Sequence, residues 1–204
     1  MKKLFFLIPL MGILLFAGCG KQTETCSLDD GFSCGAATEI TDLSGTIDAV
    51  MDAIKTQDLV TLSTFVGEQW LRFSPYEHVN TTTDIVLTSG EVYHGLAFSK
   101  TFVRWAYDGS WFPIDLPIGQ YREKFVYDVD FVNAPEVYHN QLFNRGNTIN
   151  NIFDVYSGKE IVEFHFPQID PQYDGMDRRS LYLVFENIWG QRQLIWIVHG
   201  QWTI

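Results

Sequence analysis

Ser180–Ile204, SLYLVFENIWGQRQLIWIVHGQWTI, is the stretch whose reading decides the fold. Leu181, Leu183 and Phe185 alternate with Tyr182, Val184 and Glu186, which is the two-residue period of a strand. A second run follows, with Leu194, Trp196, Val198, Gly200, Trp202 and Ile204 on one row and Ile195, Ile197, His199, Gln201 and Thr203 on the other. Asn187–Arg192 carries Gly190 between them, so the pair reads as an antiparallel hairpin with a short loop. A ribbon this apolar needs a partner layer. The expected partner is a helical stripe near the start of the chain, meeting the row of Leu194, Trp196, Val198 and Trp202.

That stripe is Leu43, Ile47, Val50, Met51 and Ile54, spaced to lie along one side of a helix that Thr41 or Asp42 can cap. Asp58 caps a second, shorter run with Leu59, Leu62, Phe65 and Val66, ended by Gly67. Trp70–Phe73 reads as a short strand closed by Ser74-Pro75. Asn80–Ser89 is rich in Thr and Ser and carries no clear period. Phe98–Tyr107 reads as a strand ended by Asp108-Gly109-Ser110, Ile118–Val126 as a helix, and Glu136–Phe143 and Ile161–Phe166 as strands. Helices at the front and strands clustered late predict an α+β domain with a mainly antiparallel sheet.

The stretch MDAIKTQDLVTLSTFVGEQWLRFSP, Met51–Pro75, resembles the opening of NTF2-like (SnoaL-like) domains: amphipathic helix, polar-Asp-Leu corner, helical turn, strand. The long final hairpin is also similar. The resemblance covers residues 40–204 in element order. It implies a cone, with a curved, mainly antiparallel sheet wrapped over helices around a pocket. It implies no particular chemistry, since that fold hosts enzymes, binders and assembly domains alike.

The leader resembles a bacterial lipoprotein signal. Lys2 and Lys3 precede Leu4–Ala17, an uncharged, mostly apolar run of 14 residues, short of the ~20 that span a bilayer as a helix. Phe16-Ala17-Gly18-Cys19 then supplies small residues and a cysteine, departing from the usual pattern at Phe16. The resemblance implies a signal peptide at 1–18 and lipidation of Cys19, and hence an extracytoplasmic, membrane-anchored protein. Residues 19–39 read as a small, polar tether. Cys26 and Cys34 remain, an even pair in an oxidising compartment, read as a structural disulfide with two inert thiols as the alternative.

Composition excludes other classes. Formal net charge is −11, and no basic stripe is present to meet phosphates, which argues against nucleic acid as a partner. The doublet Arg178–Arg179 reads as a solvated turn. No Gly-x-Ser-x-Gly elbow, phosphate-binding loop or dinucleotide fingerprint occurs, so no cofactor is expected.

Several polar groups remain. Asp128 and Asp130, two apart in FVYDVDF, would face one way on an extended segment, as a proton-sharing or metal-holding pair or, more plainly, as a solvent-facing one. Asp170, Asp174 and Asp177 lack the alternating pattern of a calcium loop and read as turn-forming acids, so no metal site is expected. His165 follows Glu163 on one strand row, and His199 joins Gln201 on another. If the strands are adjacent, both histidines line one face. In an NTF2-like cone they become pocket residues with Asp130 and Gln201, an acid/base arrangement. The plainer reading is a pair of hydrogen-bonded sheet histidines.

Two function classes follow. The first is a membrane-tethered, non-catalytic module for a small ligand or an envelope partner. The second is an NTF2-like isomerase or hydrolase using the histidines and a carboxylate. Lack of a strong catalytic motif favours the first.

Overall fold

The computed structural model describes residues 43–68, 70–94, 101–145 and 148–203. The chain divides at Thr38/Glu39 into two units, and every described residue lies in the second. The expected lipidation of Cys19 and pairing of Cys26 with Cys34 lie outside the described residues.

Helix α1, Leu43–Thr56, buries Ile47, Val50, Met51 and Ile54, the expected stripe. Helix α2, Leu59–Phe65, starts at Asp58, whose carboxylate accepts from Thr61 N at 3.0 Å and Thr61 Oγ1 at 2.6 Å. Such a cap satisfies amides that have no partner inside the helix. Strand β1 is Trp70–Ser74. The periodless Thr-rich stretch turns on Asn80, whose side chain accepts from Thr82 N, and then forms β2, Ile85–Thr88. Thr88 and Glu91 make a capping box that opens α3, Ser89–Tyr93. Strands β3, Thr101–Ala106, and β4, Pro113–Pro117, form a separate hairpin that leads into α4, Ile118–Phe125. The expected strand from Glu136 stops early, as β5, Glu136–His139. Helix α5, Ile152–Val155, precedes β6, Glu160–Phe166, and the long hairpin of β7, Arg179–Ile188, and β8, Gln191–Gln201. Its loop is only Trp189-Gly190, both at positive φ.

The architecture is α+β: a curved, open, mostly antiparallel sheet ordered β2-β1-β8-β7-β6-β5. β1 runs parallel to β8, and every other neighbouring pair is antiparallel. Both faces are covered. Leu71, Phe73, Val162, Phe164, Leu181, Leu183, Phe185, Leu194 and Ile197 pack with α1, α2 and α4 in the larger core. Ile161, Tyr182, Val184, Trp196 and Val198 pack on the opposite side with Val79, Ile152 and Tyr156. These are called the α1 face and the α5 face below.

The faces of β8 differ from those expected. Phe185 pairs with Leu194 but Val184 pairs with Trp196, so Ile195 is an extra, bulged residue. A bulge shifts side-chain parity by one. Leu194 therefore meets the α1 stripe, whereas Trp196, Val198 and Gly200 turn to the α5 face. Ile197, expected on the other row, lies under α1 instead.

Candidate functional site

His199 stands on β8 facing α4. It is fully buried, with the Phe125 ring edge-on at 5.8 Å. Its Nε2 lies 3.1 Å from Asp128 Oδ1, and its Nδ1 is buried without a hydrogen-bond partner. An Nε2–H donates to the carboxylate in this geometry. Asp128 Oδ2 receives Arg179 Nε at 2.7 Å, and Arg179 Nη1 also donates to the carbonyls of Asp177 and Arg178, both at 2.9 Å. Burial alone would raise the Asp128 carboxyl, but the hydrogen bond and charge of His199 and the charge of Arg179 outweigh it and hold the group below its ordinary value. Asp128 is thus a carboxylate bridging a histidine beneath it and an arginine beside it.

Asp128, Arg179 and Gln201 form the floor of an open groove of about 560 Å³. One wall is α4, through Gln120, Glu123 and Lys124; the other is the loop after β6, through Ile169, Asp170 and Tyr173. That loop is tied by its own acids. Asp177 accepts from Ile169 N and Asp170 N, and Asp170 accepts from Gln172 N and Nε2. These are the turn bonds the sequence suggested. Among the described residues no cluster of three or more His, Cys, Asp or Glu is arranged to hold a metal ion.

His165 lies elsewhere. It pairs with Ser180, which pairs with Gly200, so it belongs to the α5 face, opposite His199. The shared histidine row does not form. Around His165 is a buried polar network. His165 Nδ1 is 2.8 Å from Ser180 Oγ, and Ser180 Oγ is 2.8 Å from Glu163 Oε1, which also pairs with Arg145. Ser180 has one proton to give, and if Glu163 takes it, His165 Nδ1 carries the other. Burial, then Arg145 and Arg178, bring His165 down to about 3, so it is neutral, while burial raises the Glu163 carboxyl. A serine, a histidine and a carboxylate within contact resemble a nucleophilic set, but Ser180 is 0% exposed and its proton is committed. No substrate carbonyl reaches it.

Asp130 joins neither histidine. After α4 the chain bends rather than extends, ending in a 3-10 turn at Phe131–Asn133, so the two aspartates part company. Asp128 turns to the sheet. Asp130 turns to the end of α1, accepting from Tyr127 OH, Lys55 Nζ and Asn133 Nδ2, which together bring it to about 2.

The sequence reading missed a buried ion pair. Arg178, read as solvated, makes a two-pronged pair with Glu77, both contacts 3.1 Å, and Tyr182 OH donates to the same carboxylate at 2.9 Å. A trace was legible: Glu163 and His165 on one strand face Tyr182 and Ser180 on the next, a polar row inside apolar strands. Beneath α1 lies a small apolar cavity of about 50 Å³, lined by Ile54, Leu62, Phe73, Leu87, Ile118 and Ile197 among others. The chain matches no family model, no curated protein and no solved structure.

Proposed function

We propose that this chain is a lipid-anchored module of the cell envelope that binds a polar small molecule in the open groove between α4 and the loop after β6, without converting it. The observation that carries this reading is the separation of His165 and His199 by the thickness of the sheet, both buried, with no carboxylate common to them among the described residues. General acid/base work needs a group within reach of the substrate proton. The accessible groove instead presents Asp128, Arg179, Gln201 and Tyr173, groups suited to hydrogen bonding and contact. The NTF2-like cone is the finer arrangement inferred for the domain. Two leading helices, β1 parallel to the final strand, and a curved sheet around the α1 stripe support it. The anchor rests on the leader sequence and Cys19.

Ligand-observed NMR against a panel of polar metabolites tests the groove. A saturable ligand lost in Tyr173→Ala, whose ring is half-exposed on the wall, is the expected result. Binding indifferent to that change, or catalytic turnover of the ligand, overturns the reading. Fractionation tests the anchor separately: the wild-type chain belongs with membranes, and Cys19→Ser releases it.

A further inference from the structure

A second recess lies away from the groove, where the tip of the β3–β4 hairpin approaches the end of β8. Its volume is about 270 Å³, just below the roughly 300–1,000 Å³ of sites for drug-sized ligands, so it suits one ring. Its lining is aromatic at Trp111, Tyr107 and Tyr76, and polar at His78, Asp108 and the hydroxyls of Thr148 and Thr203, which hydrogen-bond each other and tie the loop before α5 to the segment after β8.

Trp111 is the unusual member. It is 85% exposed, and it sits at φ 58, a left-handed conformation that disfavours bulky side chains. The tip is nevertheless well defined. Tyr107 N donates to Phe112 O at 2.8 Å, Trp111 N to Tyr107 O at 3.1 Å, and Asp108 N to Tyr76 OH at 3.1 Å. A large apolar ring is thus held in water beside the recess by a backbone that a glycine or asparagine would suit better.

Two ligand chemistries use exposed aromatic walls: cations over the ring face, and flat C–H faces laid against it. A quaternary ammonium has no hydrogen bond to offer the His78 imidazole or the Thr148 and Thr203 hydroxyls that line the recess. A neutral ring with C–H bonds on one face and hydroxyls at its edge can use both the aromatic and the polar lining. Its hydroxyls find an imidazole and two threonine hydroxyls.

We infer that the recess between Trp111 and Thr203 binds a single pyranose ring of a neutral saccharide, stacked on Trp111. This site is independent of the groove described above.

Saturation-transfer NMR on the full chain, purified in a detergent without sugar, reads the ligand directly. The probes are glucose, N-acetylglucosamine and tetramethylammonium chloride. Saturable transfer to sugar C–H protons is expected, about tenfold weaker or more in Trp111→Gly. That variant relieves the left-handed strain, so it keeps its fold, which the melting curve checks. Trp189→Asn, at the equally exposed tip of the β7–β8 hairpin, keeps sugar binding. Absence of saturable transfer from either sugar, binding unchanged in Trp111→Gly, or preference for tetramethylammonium each overturns the inference. Sugar binding lost in Tyr173→Ala but kept in Trp111→Gly does so too, by moving the sugar to the groove.

Discussion

Arg178 clasps Glu77 through two parallel hydrogen bonds, with side chains 4% and 2% exposed, joining the residue before β7 to the loop after β1. The neighbouring Arg179 turns to the other side of the sheet and holds Asp128 at the groove floor. The doublet therefore straddles the sheet, one guanidinium locking the α5 face and the other shaping the groove. Arg178 Nη2 also donates to Arg145 O at 3.0 Å, which ties in the loop before α5. The buried clasp fixes the backbone from which the groove arginine projects.

Breaking this pair from one side should be costly. Arg178→Met leaves Glu77 buried with only the Tyr182 hydroxyl, and losing one partner of a buried pair costs about 3–5 kcal/mol. Changing both, Arg178→Met with Glu77→Leu, should recover most of that, because neither charge is then stranded. Urea unfolding of the three proteins measures it. A single variant within about 1 kcal/mol of wild type would mean that water reaches the pair.

Gly200 makes room for the clasp. A Cβ there would lie 2.6 Å from Glu77 Oε1 and 3.0 Å from Ser180 Cβ. Gly200→Ala should therefore cost about 1–3 kcal/mol by overpacking, although alanine suits a strand better than glycine does. Thermal unfolding shows it as a lowered Tm. An unchanged Tm would show that Glu77 moves aside freely.

His165 gives the α5 face a pH dependence with a definite sign. In the unfolded chain a histidine takes a proton near pH 6.5, but in the fold this one resists until about pH 3. Between those values the unfolded state binds the extra proton, so stability falls as pH falls, by at most about 1.4 kcal/mol per pH unit. Glu163 works oppositely, because its raised carboxyl takes up a proton in the folded state first. His165→Gln removes one contribution and leaves the other. From about pH 7 to about pH 5 the variant's stability should fall less steeply than wild type's. Equal slopes would mean that His165 is not held neutral.

The parts of the fold legible in the sequence were those set by neighbours along the chain. The α1 stripe, the Asp58 cap and the hairpin around Gly190 each depend on a handful of consecutive residues. What was hidden depended on one inserted residue. Counting outward from the Trp189-Gly190 turn without interruption pairs Ser180 with His199, which would put His199 on the same face as His165. The bulge at Ile195 pairs Ser180 with Gly200 instead, and the histidines separate. Alternation within a strand does not reveal such a shift, because Leu194, Ile195, Trp196 and Ile197 are all apolar and tolerate either face. The site suffered likewise. Asp128 and Asp130 share a row only if the segment is extended, and the bend after α4 gives Asp128 to His199 and Asp130 to Lys55. The Arg178–Glu77 pair spans 101 positions, and no local pattern announces it.

The bulge also decides what Trp196 contacts, and a double-mutant cycle can read that out. Its ring lies edge-on to Tyr156 with centroids 4.4 Å apart, Arg72 stacks over it at 5.2 Å, and its Nε1 donates to Ser74 Oγ at 2.9 Å. All of these partners lie on the α5 face, away from α1. Trp196→Ala should cost about 3–5 kcal/mol, a large share of the roughly 5–15 kcal/mol that holds a typical domain. That loss alone does not identify the face, since any buried tryptophan would show it. Coupling does. Trp196→Ala should couple to Tyr156→Ala by about 0.5–3 kcal/mol, because the two rings share a contact that either change removes. With Met51→Ala, in the α1 stripe across the sheet, it should add within about 0.5 kcal/mol. To keep the double variants folded, the cycle is run in a stabilising osmolyte, which strengthens burial in all of them alike. Strong coupling to Met51 with none to Tyr156 would put Trp196 on the α1 face and remove the bulge from β8.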